Sequence, residues 1–471
     1  MPAFSHHLAH HPDITFAARV LSYLTEGARI GYTGPRAPRC KPNWPSFYDH
    51  IDAARDCIDR DVAHGAKAGP YAHPPFATFV GSPMGAFLKR HSNKLRVIHD
   101  LSYPAGSSVN DFIEPADYTV QYGSFDSFVE RLSLLGPGAL MAKLDLENAY
   151  RQVLVHPDDW DLLGSSITVK GETHYYVDTT LPFGLRSAPL IFNEVADALA
   201  FIMRRLGITF VDHYLDDFFT LGPPDSPVCA DNRQVMLDAC RITGFPVSPS
   251  PGKVTEPAPV MELLGLIIDT VCGEIRISAQ RLKDTLQELS EFSLPRSVKK
   301  RRLLSLIGKL AFISKVVRSG RTFTRRLIEA ARSTRHLHHH VYLTAACRED
   351  IVWWRTYLPS WNGVSFFMDS TWTSSPDLRL ASDASNLGLG ITFQEDWCCI
   401  PFDAPPWDTA RNLDIAWREL LAVVVALATF GPRLAGKRVL LDCDNQAIVS
   451  AINEGTIRSP SIMCLVRALF F

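Results

Sequence analysis

The sequence predicts an α+β protein: a mixed sheet with helices on one face, then a helical segment, then a second and smaller α/β pattern. Three observations predict this. Up to about residue 278, short strand-like runs mix with helices without a regular strand–helix–strand rhythm. Residues 279–358 read as mainly helical, and a fresh strand–helix–strand pattern begins at Leu378.

Composition bounds the class. The 471 residues are 46% hydrophobic and 21% charged, as in ordinary folded proteins. We expect no apolar run long enough to span a bilayer. The start, "MPAFSHHLAHHPDITFAARV", lacks the basic-then-apolar order of a secretory signal. Ten cysteines occur with no CxxC pair, which argues for reduced thiols and against a zinc module. The net charge of −2 hides a local excess: between Arg296 and Arg335 lie 13 Lys or Arg against one acid, Glu329. Leu303, Leu304, Ile307, Leu310 and Ala311 are spaced helically within it, as in amphipathic helices with a cationic outer side suited to a phosphate backbone.

The elements follow in order. Residues 1–45 are poor in pattern and are expected to form a loosely ordered lead. The region 46–140 opens with an amphipathic helix closed by Gly65 and holds a strand over 94–102. The region 141–278 continues strands from 139–149 and 150–157, then has strands over 165–181, a helix over 187–207, "VDHYLDDFFTLG" (211–222), a helix near 228–243 and a strand pair over 260–278. The basic helical part, 279–358, precedes a polar linker, 359–377, and the final α/β pattern, 378–471.

Asp216 and Asp217 stand among Val211, Tyr214, Leu215, Phe218, Phe219 and Leu221, residues of buried strands. Asp-Asp is a fair turn signal by itself. A buried, unpaired carboxylate is costly, however, and Asp145 ends a strand of the same kind in "AKLDLENAY". If the two strands are neighbours, three carboxylates converge and need hard cations, Mg²⁺ first among them. Two such ions about 4 Å apart clamp the attacking and leaving oxygens of a phosphoryl displacement.

"KLDLENAYRQV", "LPFGLRSAPLIF" and "YLDD" occur in the order of the palm motifs of reverse transcriptases, and "GSPMGAFLKR…NKLRVIHDLSYPAGSSVND" resembles their fingers segment. The set most resembles retrotransposons of the DIRS type, with LTR retrotransposons next. The resemblance implies a right-hand polymerase, with fingers over 46–140, palm over 141–278 and a basic thumb or connection over 279–358. Its partners would be an RNA template, a DNA primer, their hybrid and dNTPs. Asp145 and Asp216 would be the principal Mg²⁺ ligands, with Asp217 shaping the field. Tyr150 matches the steric gate against a ribose 2′-hydroxyl. Arg96 and Lys89 match the triphosphate-binding residues, with Lys94 or Arg90 as substitutes. Gly184 would let the backbone approach base or sugar; Phe183 stands where many retroviral enzymes carry Gln, which makes that contact apolar. Lys253 matches a lysine proposed to protonate pyrophosphate, and "MELLGLII" resembles the primer-grip hairpin.

"LRLASDASNLGLGITF", "WRELLAVVVALATF" and "KRVLLDCDNQAIVSAIN" resemble ribonuclease H, with Asp383, Glu419 and Asp444 as its first three carboxylates, which bind two Mg²⁺. Asp442 competes with Asp444, and Glu419 also suits a helix start. The family's fourth acid has no counterpart before Phe471, so we expect a truncated, impaired domain with an exposed apolar end. "HLHHH" (336–340) reads as surface. No Asp-Thr/Ser-Gly of an aspartic protease, no His/Cys zinc set of an integrase and nothing like a tyrosine recombinase is present. The rival reading is a non-catalytic nucleic-acid-binding remnant of a decayed element; an RNA-dependent RNA polymerase is disfavoured by Tyr150. Such a protein is expected inside the cell, in cytoplasm or nucleus.

Overall fold

The apolar runs in Leu140–Asp145 and Asp217–Gly222 bury residues on both faces of each strand. With Val211–Tyr214 they form a three-stranded antiparallel sheet in which Asp217–Gly222 is central. The computed structural model describes residues 2–88, 95–121, 125–292, 295–361, 373–435 and 439–470, apart from the side chains at 126 and 318. The chain divides into two units, Met1–Pro259 and Val260–Phe471.

In the first unit, the helix Ala188–Arg205 has Pro189 in its first turn, where the missing N–H costs nothing. It buries Ile191, Phe192, Val195, Leu199, Ile202 and Met203 in one core with Leu144 and Phe218 of the sheet. Residues 1–45 correct the expectation of a loose lead. Helices Pro2–Leu8 and Ile14–Thr25 bury Phe4, Leu8, Ala17 and Val20 in that same core, and Asp13 caps the second helix through Phe16 N. Phe16, Leu21, Tyr23 and Leu24 also pack against that core, so a helical apolar pattern in Ile14–Thr25 was present beside the His- and Pro-rich flanks that masked it.

A five-stranded mixed sheet contains the hairpin Gly164–Val169 and Glu172–Asp178, flanked by Lys67–Tyr71 on one side and Val80–Gly81 on the other. A separate hairpin, Met84–Leu88 with Leu95–His99, carries the fingers motif. The expected strand over 150–157 is instead a 3-10 turn, Ala149–Gln152, followed by isolated bridges at Leu154 and Val155. Asn148, at φ 51°, breaks the extended run and starts that turn.

In the second unit, Val260–Leu263, Leu266–Asp269 and Glu274–Ile277 form an antiparallel meander, so the expected grip hairpin groups with the C-terminal half of the chain. Helix Lys300–Ile313 buries Leu303, Leu306, Leu310 and Ile313, while Leu304 and Ala311 are exposed. The apolar stripe therefore lies one position round from that expected; both spacings satisfy a 3.6 period, and the packing partners select one. Part of its positive charge is also spent internally: Arg302 pairs with Glu291 and Lys309 with Glu288.

Further along, Leu380–Ala384, Gly388–Phe393 and Asp396–Pro401 form an antiparallel sheet packed on the helix Ile415–Leu434. That helix, with mean hydropathy 1.5, is long and apolar enough by length and composition to cross a membrane, contrary to the sequence expectation. Here Leu420, Leu421, Ala426 and Phe430 belong to the unit's core. The terminal helix Pro460–Leu469 buries Ile462, Leu465 and Val466 against it. The expected exposed apolar end is thus covered, because the spacing of those residues matches one helical face.

Candidate active site

Two ladders bring the first carboxylates together. Asp217 is the Cα partner of Asp145 across the antiparallel pair, and Leu146 N donates to Asp216 O at 3.0 Å. Strands Val211–Tyr214 and Asp217–Gly222 are joined by Leu215 and Asp216 alone, and Leu215 holds φ 54°. A leucine in the left-handed region is strained, and it persists because its side chain packs on the core beside the helix Ala188–Arg205. The segment after Phe245 runs along the far edge of Leu140–Asp145: Ser248 N donates to Asp145 O at 2.8 Å, Thr255 N to Lys143 O at 3.0 Å, and Ala258 N to Met141 O at 3.0 Å. This carries Lys253 back to the site, where its Nζ donates to Asp145 Oδ2.

Asp145 is buried; Asp216 and Asp217 are partly so. Burial, then the neighbouring charges of Asp145 and Asp216, push the Asp217 carboxyl up to about 6. Burial first, then Asp145, raises Asp216 as well. Burial opposes the Lys253 ammonium, but the Asp145 carboxylate beside it raises its pKa overall. Three crowded carboxylates facing Lys253, with Lys143 also acting on Asp217, are still short of positive charge. An all-oxygen donor set of this kind fits a hard divalent cation. No three His, Cys, Asp or Glu side chains stand ready-arranged around one point among the described residues.

Beside the carboxylates, the half-buried Tyr150 ring lies 5.1 Å from the Phe183 ring and 5.7 Å from Phe192. Phe183 is half exposed. Gly184 has φ 105°, and a Cβ there would stand 2.3 Å from His99 O. The protein's own backbone thus already excludes a side chain at 184. Arg96 is exposed on Leu95–His99, paired across the hairpin with Phe87. Lys89, Arg90 and Lys94 lie outside the described residues.

In the second unit, Asp383 is exposed on Leu380–Ala384, and Glu419 lies in the first turns of Ile415–Leu434. Asn445 Nδ2 donates to Glu419 Oε2 at 2.9 Å, which brings Asp444 into that neighbourhood. Asp442 accepts from Ser375 Oγ at 3.0 Å.

Sequence reasoning missed Lys67, His99, Arg151 and Asp178, which form a buried ionic cluster; Lys67, His99 and Arg151 share a cavity wall with Phe183. The available signal was an aspartate ending the apolar strand "YYVD" just before "LPFG". It missed Arg186 too, whose Nη1 donates to Ile113 O at 2.9 Å and whose N–H donates to Asn110 Oδ1 at 2.9 Å.

Residues 91–268 match the family model described as reverse transcriptase (RNA-dependent DNA polymerase). The chain carries a reverse transcriptase domain. Among solved structures, the foamy viral protease-reverse transcriptase dRH in complex with double-stranded DNA is similar at 14% identity and TM-score 0.55, over 93% of this chain and 70% of that one. The foamy viral protease-reverse transcriptase with double-stranded DNA matches at 15% identity and TM-score 0.51, over 93% and 87%. The same protein with an RNA/DNA hybrid matches at 14% and 0.52, over 99% and 61%. The polymerase fold of the reverse transcriptases is therefore the fold of this chain. A comparison with curated proteins gave no significant match.

Proposed function

We propose that this protein is an RNA-directed DNA polymerase of a retrotransposon, of the DIRS type by its ordered motifs, extending a DNA primer on an RNA template with dNTPs. The observation that carries the reading is the in-register pairing of Asp145 with Asp217, with Asp216 in the adjoining turn. Reverse transcriptases use divalent metals; bound here, Mg²⁺ would lower the pKa of the primer 3′-hydroxyl and offset charge on the phosphates. Asp145 and Asp216 would hold it, and Asp217 adds negative field behind them. Tyr150 fills the space a 2′-hydroxyl would need. Arg96 offers a bidentate fork to the triphosphate, with Lys89 as a second cation. Lys253, when it leaves Asp145, is placed to pass a proton to pyrophosphate. The basic surface around Lys300–Ile313 follows the hybrid backbone without reading sequence.

The region 378–471 is read as an attached ribonuclease H-like domain, with Asp383, Glu419 and Asp444 as its metal carboxylates. The ten free cysteines suit a reducing intracellular setting, cytoplasmic or nuclear.

The test is primer extension on poly(rA)/oligo(dT) with dTTP and Mg²⁺, with Asp216→Asn alongside. Extension that disappears in the variant supports the reading. A folded protein that binds the hybrid in a salt-sensitive way yet extends nothing points to the non-catalytic remnant.

A further inference from the structure

Asp178 ends the strand Glu172–Asp178 and has no solvent exposure. Lys67 Nζ lies 2.7 Å from its Oδ2 and His99 Nδ1 3.0 Å, while Arg151 Nη1 donates to its Oδ1. The other arm of Arg151 reaches Asp61 at 2.9 Å, and His99 Nε2 lies 3.0 Å from Gly164 O. Burial opposes the Asp178 charge, but Lys67 and Arg151 hold the carboxyl well below its usual range. A buried ion cluster is a poor route to stability, since well-packed apolar residues serve as well. What it supplies is direction, because its partners come from three separate elements, Lys67–Tyr71, Leu95–His99 and Ala149–Gln152, and are held at one carboxylate.

Arg151 follows Tyr150 in the 3-10 turn Ala149–Gln152, and four residues of 3-10 helix do not fix an orientation unaided. With both guanidinium arms held, the turn has one placement. His99 closes the other side: its carbonyl is the group packed against Gly184, and Gly184 adjoins Phe183, whose ring meets Tyr150. His99 also anchors the end of the strand that carries Arg96. The chain of contacts runs from Asp178 through Arg151 and Tyr150 to Phe183, Gly184 and His99, and returns to Asp178.

We propose that Asp178 is a positioning residue which, through Arg151 and His99, sets the gap between the Tyr150 ring and the Phe183–Gly184 backbone, and so the discrimination between deoxyribo- and ribonucleotides. This rests on the reading of Tyr150 as the gate. Asp178→Asn leaves Lys67 and Arg151 short of a buried partner and is prone to misfold. Arg151→Lys keeps the charge but loses the fork, and His99→Gln keeps a hydrogen-bonding side chain. The experiment measures kcat and KM for dTTP and for UTP on poly(rA)/oligo(dT), with hybrid affinity, for the full-length wild type and both variants. The expected result is a fall of about tenfold or more in the dTTP-over-UTP ratio of kcat/KM, with hybrid affinity unchanged. Equal losses for both nucleotides, leaving the ratio within about twofold of wild type, would show a merely structural cluster and overturn the proposal. A wild type that extends with neither nucleotide sinks the polymerase reading and this inference with it.

Discussion

Asp145 and Asp217 stand directly opposite each other on neighbouring antiparallel strands. Like charges so placed destabilise a sheet, and partial burial of both makes the placement worse. Lys253, paired with Asp145, and the raised proton affinity of Asp217 relieve part of that repulsion.

Neutralising these carboxylates should therefore act in opposite directions on activity and stability. Asp216→Asn is expected to lower primer extension by roughly 10²–10³-fold or more, by the magnitude of other charge-stabilising groups. Asp217→Asn removes the repulsion against Asp145 and should stabilise the protein in EDTA by up to about 1 kcal/mol, read by urea unfolding. A destabilised Asp217→Asn would contradict the charge argument.

Under the proposed function, Lys253 and a divalent cation would compete for the same Asp145 oxygen. Lys253→Ala should lower stability in EDTA by no more than about 1 kcal/mol, since its side chain is 43% exposed and the pair is screened. The same variant should gain more in Tm on adding Mg²⁺ than the wild type does. Equal gains would separate Lys253 from the cation site.

Gly184→Ala places a methyl 2.3 Å from the His99 carbonyl at φ 105°. Neither the backbone angle nor the oxygen can give cheaply, so a loss of roughly 2–4 kcal/mol is expected in chemical denaturation. A neutral Gly184→Ala would show that the loop moves freely against the fingers strand, and would weaken the circuit through Asp178.

Asp350 joins the helix Ala345–Ser360 to the terminal helix through Arg467, with Arg326 3.5 Å away. It is fully buried and its Oδ2 has no partner among the described residues. Burial outweighs the two guanidinium groups and pushes the carboxyl up to about 6. The folded state therefore binds a proton more tightly than the unfolded chain, whose carboxyl titrates near 3.8. This contribution is complete below about pH 4 and is lost as pH rises towards 6. Asp350→Asn should match the wild type near pH 4 and exceed it near pH 7 by an amount on the order of 2 kcal/mol. A difference independent of pH would show that Asp350 stays ionised against Arg467.

The clustered carboxylates Asp145, Asp216 and Asp217 were legible because the strands that carry them state their own burial. An Asp at the end of "AKLD" and two more inside "YLDDFF" conflict with their apolar neighbours, and such conflicts mark sites. Tyr150 and Gly184 were legible only through the resemblance of "KLDLENAYRQV" and "LPFGLRSAPLIF" to the reverse transcriptase motifs. Strand 150–157 was misjudged because apolar alternation there meets the left-handed Asn148, and tertiary bridges complete the hydrogen bonding instead.

The sequence alone therefore determined which residues conflict with their surroundings and the order of the motifs, since both are local properties. Only the tertiary structure decided that Asp217 is in register with Asp145, that Lys253 returns to them and that Asp178 gathers Lys67, His99 and Arg151. Register and the partners of a buried charge depend on contacts between segments far apart in the chain. No local pattern carries those distances.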